Sequence, residues 1–349
     1  MKTIDYLFSL FFIGTCLLLI VFNQDICHAE QALSLNDLLI QRTCQNISKI
    51  NSYKGIVIQK GLVAHHDLKA EVLFKKPYLF LSTIIAPQEL NQICVLYKES
   101  LLLYYFPTIN WAIRIHHFYL PTTAQLETII SDSYKKNVNN YDYTFGASSS
   151  IANLPVIEIQ HKAKTNKMFN ISGKTFIYDH YSFPLAGKLL FKGNHEYAYS
   201  YQKIDFNIDL PDQLFTVKLP DKTIVSEWDL KAPQQMLSDI KKKANFSFSL
   251  PEKNSFGLKR SRIIEQKGIV PAFAVIYEKE PYFLIVMMVR DYGLGTNDVY
   301  GIPIQTTKKG RLIISPLISS FSFIHNETVY TLMGNLPFED LLLISDDIH

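Results

Sequence analysis

The stretch YSFPLAGKLLFKGNHEYAYSYQKIDFN, residues 181–207, decides the fold. Runs of β-forming residues from Ala186 to Lys192 and from Glu196 to Ile208 flank Lys192-Gly193-Asn194-His195. That pattern reads as two strands joined by a tight turn, a β-hairpin. In the second strand the aromatic parity shifts. Tyr197, Tyr199 and Tyr201 occupy odd positions, whereas Ile204, Phe206 and Ile208 occupy even ones. One bulge between the two sets puts both on a single face. The alternative leaves apolar side chains on both faces, one against the core and one against something else.

Working outward, strands precede this hairpin at close spacing. Tyr53 to Lys60 is one, and in the next Leu68, Ala70, Val72 and Phe74 alternate with Lys69, Glu71, Leu73 and Lys75. That period of two marks a half-buried strand. Strands at 78–85, 93–97, 101–106 and 111–116 follow, with turn signals at Pro77, Pro87, Lys98-Glu99-Ser100 and Pro107, as in an antiparallel meander. Pro121-Thr122-Thr123-Ala124-Gln125 carries a Thr-x-x-Gln capping box, and Leu126, Ile129 and Ile130 give the helix behind it an apolar stripe. Strands resume at 141–145, 156–161 and 174–179. Pro211 to Pro220 is a loop-rich exit anchored by Leu214-Phe215, and the pattern restarts around Trp228 to Pro233. From there a helix over 233–244, strands at 246–250, 259–266, 272–278, 282–289, 312–315, 320–325 and 328–334, and a closing helix from Pro337 form a second unit. The fold class expected is α+β, an open antiparallel half-barrel wrapped around helices and followed by a smaller α/β C-terminal domain.

The 349 residues suffice for one large or two ordinary domains. A net charge of +3 gives no pull toward nucleic acid. The N-terminus reads as an export signal: Lys2, an apolar run from Leu7 to Phe22, then small residues Cys27 and Ala29 at the −3 and −1 positions before Glu30. The competing reading is an uncleaved anchor, although the run is shorter than a normal membrane span. The expected division is 1–29 signal peptide, 30–230 half-barrel and 231–349 C-terminal domain, in a periplasmic or otherwise exported protein. Removal of the signal leaves Cys44 and Cys94. An oxidising compartment permits a bridge between them, worth roughly 4 kcal/mol, and two buried thiols are the plainer alternative.

Several landmarks together carry a resemblance. They are Tyr53-Lys54-Gly55-Ile56-Val57-Ile58-Gln59 after a short helix, Phe74-Lys75-Lys76-Pro77, Leu102-Leu103-Tyr104-Tyr105-Phe106-Pro107, Phe183-Pro184-Leu185, and Tyr201-Gln202-Lys203-Ile204-Asp205-Phe206-Asn207 closed by Pro211-Asp212-Gln213-Leu214-Phe215. In this order residues 34–228 resemble the periplasmic outer-membrane lipoprotein carrier superfamily. Thr328-Val329-Tyr330-Thr331-Leu332-Met333-Gly334-Asn335-Leu336-Pro337 is similar to the C-terminal end of the sigma-E regulatory periplasmic family. The first resemblance implies a half-barrel with an apolar cavity. The second implies a carrier-like half-barrel with a smaller domain that restrains a membrane-bound anti-sigma factor. Lys98-Glu99-Ser100 stands where those families have an Asp-Gly turn.

On this reading the cavity is lined by Val72, Phe74, Tyr104, Phe106, Trp111, Ile113, Tyr178, Leu190, Tyr197, Tyr199 and Tyr201, with the tyrosines at its rim. The helix bearing Leu126, Ile129 and Ile130 is the candidate lid. Lipid or lipoprotein acyl chains are the expected partners, together with an inner-membrane protein in the regulatory reading; no nucleic acid, cofactor or metal is expected. Enzyme chemistry has no constellation behind it. His65-His66 and His116-His117 are adjacent on strands and point to opposite faces. His180 and His195, beside Asp179 and Glu196, read as turn residues, and Gly293-Leu294-Gly295 lacks a phosphate-loop continuation. The basic groups at 241–243, 259–262 and 308–311 read as solvated turns.

Overall fold

The computed structural model describes residues 45–63, 66–118, 120, 125, 128–129, 131–132, 141–164, 172–191, 195–244, 246–251, 257–267, 271–291, 302–305, 308–313 and 318–349. Residues 45–48, 125, 128–129 and 131–132 are helical. The expected signal peptide and most of the helix expected over 34–50 lie outside the described residues.

The first meander comprises β1 (Ser52–Val63), β2 (His66–Lys75), β3 (Leu79–Ala86), β4 (Cys94–Lys98), β5 (Leu101–Phe106) and β6 (Trp111–His116). The second comprises β7 (Tyr141–Ile151), β8 (Leu154–Ala163), β9 (Ser172–Tyr178), β10 (Phe183–Phe191) and β11 (His195–Phe206). With β12 (Ile224–Asp229) they form one open sheet in the order β12-β6-β5-β4-β3-β2-β1-β11-β10-β9-β8-β7. The quoted hairpin decides this arrangement, because β11 pairs antiparallel with β1 and joins the two meanders into a single surface.

Alternation gives that surface two unlike faces. Tyr53, Val57, Ala70, Val72, Phe74, Phe80, Ile84, Val95, Tyr97, Leu102, Tyr104 and Phe106 are buried in one large cluster on the concave side. Lys54 and Lys60 point the other way, where they meet Glu71 at 2.9 Å and Asp67 at 3.2 Å. Such exposed pairs contribute little to stability. Part of the convex side has its own apolar cluster. Leu73, Leu96, Leu103 and Ala112 are covered there by Leu210 and Phe215 from the segment after β11. Lys75 Nζ pins that segment, donating to Leu210 O at 2.8 Å and Asp212 Oδ1 at 2.7 Å. The Lys75 hydrogen bond holds the Asp212 carboxyl below its usual range. The anchor expected at Leu214-Phe215 is therefore Phe215 alone, since Leu214 is exposed.

β12 is not evident in the sequence. It adds to the far edge of the sheet, parallel to β6, with Trp228 buried and Trp111 Nε1 donating to Ser226 Oγ at 2.9 Å.

The second sheet contains β13 (Lys259–Glu265), β14 (Ala272–Lys279), β15 (Tyr282–Arg290), β16 (Ile302–Gln305), β17 (Lys309–Ile313), β18 (Ser319–His325) and β19 (Thr328–Gly334), in the order β13-β14-β15-β19-β18-β17-β16. All its described pairings are antiparallel. Helices α1 (Leu237–Lys243) and α2 (Phe338–Asp346) accompany it. Residues 272–277 are buried without alternation, as befits a strand covered on both faces. Residues 246–250, expected as a strand, cross this sheet as a strap instead. Phe246 and Phe248 lie 6.1 and 6.5 Å from Phe273, and Ser249 N donates to Tyr330 Oη at 2.8 Å. Their alternating rings pack through side chains and need no ladder.

The two sheets meet directly. Glu227 and Lys267 exchange backbone hydrogen bonds of 2.8 and 2.9 Å, and Phe118 packs edge-on to Phe283 at 6.0 Å. The architecture is α+β, with two open and mostly antiparallel sheets.

Candidate ligand-binding face

The concave face is built in rows that the strand register dictates. One row runs Ile115, Leu102, Tyr97, Phe80, Phe74, Tyr53 and Phe206 across β6 to β11, nearly all large rings. The next runs Ile113, Tyr104, Val95, Ser82, Val72, Gly55 and Ile204, and its middle members are small. The small residues of this row are covered by the chain's own side chains: Val95, Ser82 and Val72 are buried, and the Tyr201 ring lies over Gly55.

Tyr201 joins the next row, opposite Val57, through a bulge. Ile56 opposes Lys203 but Val57 opposes Tyr201, so Gln202 is the extra residue, and Gln202 and Lys203 are both exposed. The parity shift is thus absorbed by a bulge, and Tyr197, Tyr201, Ile204 and Phe206 join one cluster. Glycines receive the rings. A Cβ on Gly55 would lie 2.8 Å from the Tyr201 ring, and one on Gly187 would lie 2.5 Å from that of Tyr199. Each glycine lets a neighbouring tyrosine lie flat over the backbone.

Val72, Phe74, Tyr104, Phe106, Ile113, Tyr197 and Tyr201 are buried on this face, and Trp111, Tyr178 and Tyr199 pack partly buried against them. Leu190 differs. It is 37 % exposed, on the side opposite its neighbours Leu189 and Phe191, which pack on the concave cluster. The tyrosines also sit deeper than a rim position: Tyr197 and Tyr201 are buried, and burial pushes the hydroxyls of Tyr199 and Tyr201 well above their ordinary pKa. Of the lid residues, Ile129 is buried in the same cluster, while Leu126 and Ile130 lie outside the described residues. The helical turn around Ile129 is tied to the second sheet, where Gln125 Nε2 donates to Glu280 Oε1 at 2.9 Å and Tyr282 Oη donates to Asp132 Oδ2 at 2.6 Å.

Two polar residues on this face escaped the sequence reading. Gln59 is 2 % exposed and Ser82 is 1 % exposed, both at the inward parity of their strands. Gln59 Nε2 donates to Tyr197 Oη at 3.4 Å. Gln59 Oε1 and Ser82 Oγ have no hydrogen-bond partner among the described residues. The signal was present in the alternation Tyr53, Gly55, Val57, Gln59, which places an amide on the greasy side.

Two clefts open nearby. One, about 520 Å³, lies between β1, β11 and the β7–β8 turn, with Ile58, Lys60, Ile151, Ala198, Tyr199 and Tyr201 among its lining. The other, about 400 Å³, lies where the sheets meet, over Phe118, Leu230, Phe283 and Ile285.

Cys94 is a buried free thiol, and burial pushes its pKa up to about 12. Its candidate partner Cys44 lies outside the described residues. His117 Nδ1 stands 2.7 Å from Asp229 Oδ1, and His116 Nε2 stands 3.9 Å from Glu227 Oε1. No group of three or more His, Cys, Asp or Glu suited to a metal occurs among the described residues.

Fold and site together define an open half-barrel with an apolar concave face, continued by a second antiparallel sheet. Solved structures that this chain is similar to include both kinds of protein expected from its sequence. The complex of Pseudomonas aeruginosa MucA and MucB aligns with 10 % identity over 90 % of this chain and 99 % of that one, at a TM-score of 0.46. A crystal structure of MucB aligns with 10 % identity over 90 % and 98 %, at 0.48. A LolA-superfamily protein from Nitrosomonas europaea aligns with 11 % identity over 53 % of this chain and 99 % of its own, at 0.27. No protein-family model matches the chain, and no curated protein matches it in sequence.

Proposed function

We propose that this is a non-enzymatic protein of the cell envelope, exported to the periplasm, that binds an apolar ligand such as lipid or lipoprotein acyl chains in its half-barrel domain, at the cleft beside Tyr199 and Tyr201. One observation carries the reading: the cleft of about 520 Å³ that opens beside Tyr199 and Tyr201, between β1, β11 and the β7–β8 turn, with Ile58, Ile151 and Ala198 on its walls. Its volume falls within the range of small-molecule sites. Burying methylenes contributes roughly 0.8 kcal/mol each, so a long chain gains on the order of 10 kcal/mol before ordering costs. Such binding needs greasy walls and no catalytic group.

Delipidated protein should take up a fluorescent fatty-acid probe saturably. Tyr199→Asp should weaken that uptake tenfold or more, because it sets an unpaired carboxylate against apolar surface and uncovers Gly187. Absence of saturable uptake, or equal uptake by the variant, would remove the ligand role.

A second reading has its own observation. The groove between the sheets joins an apolar floor to the charged residues Lys231, Arg262, Glu278 and Glu280. It suits a segment of an inner-membrane partner with apolar anchors and flanking charges, such as the periplasmic part of an anti-sigma factor held by the C-terminal unit. One solved structure that this chain is similar to is a two-protein complex, that of P. aeruginosa MucA and MucB. A pull-down from solubilised inner membrane separates the readings: a regulator retains one defined membrane protein, and a pure carrier retains none.

A further inference from the structure

Residues 231–267 carry nine lysines and arginines against three acidic residues, a net +6 in a chain whose total is +3, so the remainder sums to −3. Two basic groups that read as turns in the sequence lie in regular structure. Lys241-Lys242-Lys243 closes α1, and Lys259, Arg260 and Arg262 open β13, the edge strand of the second sheet. The helix lies along that edge. Gln235 N, just before it, donates to Ile263 O at 3.1 Å, and Lys243 Nζ, at its end, is 2.7 Å from Glu265 Oε2. Ile240 is buried beneath, while Lys241 and Lys242 are exposed and make no ion pair among the described residues. Lys267, two residues beyond Glu265, is exposed as well. Met236, at the start of α1, is 71 % exposed. The helix dipole favours cations in the last turn, but it accounts for neither the basic edge strand nor the bare methionine.

We propose that this basic edge, α1 with β13, docks the second sheet on a membrane surface rich in anionic lipid, with Met236 entering the headgroup layer. Lysines near such a surface add their attractions, and an inserted apolar side chain adds a term that salt does not screen. The net −3 elsewhere turns the other faces away from an anionic bilayer. Flexible, separately exposed lysines suit a fluid array of headgroups better than one fixed acidic peptide. The acyl-binding cleft shares no residue with this edge, so either reading can fail without the other.

The test sediments the purified exported protein with vesicles of phosphatidylcholine alone or with about one third phosphatidylglycerol. The anionic vesicles should bind at least about tenfold more tightly, and raising the salt from about 0.05 M to about 0.5 M should remove most of that preference. Lys241→Gln combined with Lys242→Gln should weaken binding to anionic vesicles about thirtyfold, roughly fivefold for each lysine. Met236→Gln should weaken it severalfold at both salt concentrations. Lys218→Gln combined with Lys222→Gln removes the same charge from exposed positions outside the segment and should change binding less than about twofold. Equal binding to the two vesicle types would overturn the proposal. So would equal losses in the two double variants, which would reduce the effect to net charge. Binding to soluble polyglutamate without binding to anionic vesicles would overturn it in favour of an acidic protein partner.

Discussion

Replacing Phe74 with alanine should lower stability by about 3–5 kcal/mol, the usual cost of deleting a ring from a packed interior. Phe74 is fully buried near the centre of the twelve-stranded sheet, between Phe80 on β3 and Tyr53 on β1. Its ring lies 5.3 Å from that of Tyr53, which in turn meets Phe183 edge-on at 5.5 Å. The neighbours belong to three strands and cannot all collapse into the void, so the cavity term adds to the lost transfer energy. Urea unfolding measures this as a lower midpoint with an unchanged slope. Leu190→Ala should change stability by less than about 1 kcal/mol, because that side chain is already 37 % exposed. Similar costs for the two variants would mean that the faces of β2 and β10 have been assigned wrongly.

Gly61→Ala should cost about 3 kcal/mol for the addition of a single methyl group. Gly61 has φ +79°, in the left-handed region that L side chains rarely adopt, and a Cβ there would fall 1.9 Å from Glu196 O. That contact is with backbone, so β1 and β11 must part at the end of their pairing, beside Gln59 and Tyr199. Gly257→Ala is the informative comparison. It shares a positive φ of 63°, but the nearest atom is Lys279 Nζ at 3.7 Å. Only the conformational cost of about 1 kcal/mol remains there. Thermal unfolding of the two variants separates strain from collision. Loss of fatty-acid uptake in Gly61→Ala at a temperature where it stays folded would further tie this strand end to the binding face.

Much of this arrangement was legible because alternation reports burial directly. Leu101–Phe106, Trp111–His116 and Thr328–Gly334 have the bounds that their patterns predict. The bulge at Gln202 could be anticipated because Tyr197, Tyr199 and Tyr201 share a face with Ile204 and Phe206 only through one; Ile208, counted with them in the sequence, lies beyond β11 and packs on the convex cluster instead. Legibility failed where pattern and pairing come apart. Leu189-Leu190 is a doublet in which alternation cannot choose a side; the packing of Gly187 under Tyr199 sets the parity. Ile224–Asp229 pairs in parallel with a strand more than one hundred residues earlier, and no local signal encodes that partner. The strap at 246–250 has the rings of a strand but spends them on Phe273 rather than on a ladder. Gln59 and Ser82 were overlooked for a different reason: a polar residue in an apolar strand announces itself only once its face is known to be buried.

The central claim is that an acyl chain occupies the cleft beside Tyr199 and Tyr201. Native mass spectrometry of delipidated protein incubated with a long-chain fatty acid tests it most directly. The account predicts a discrete one-to-one adduct that Tyr199→Asp fails to form. A spectrum showing bare chain alone, or the same adduct in both proteins, would contradict it.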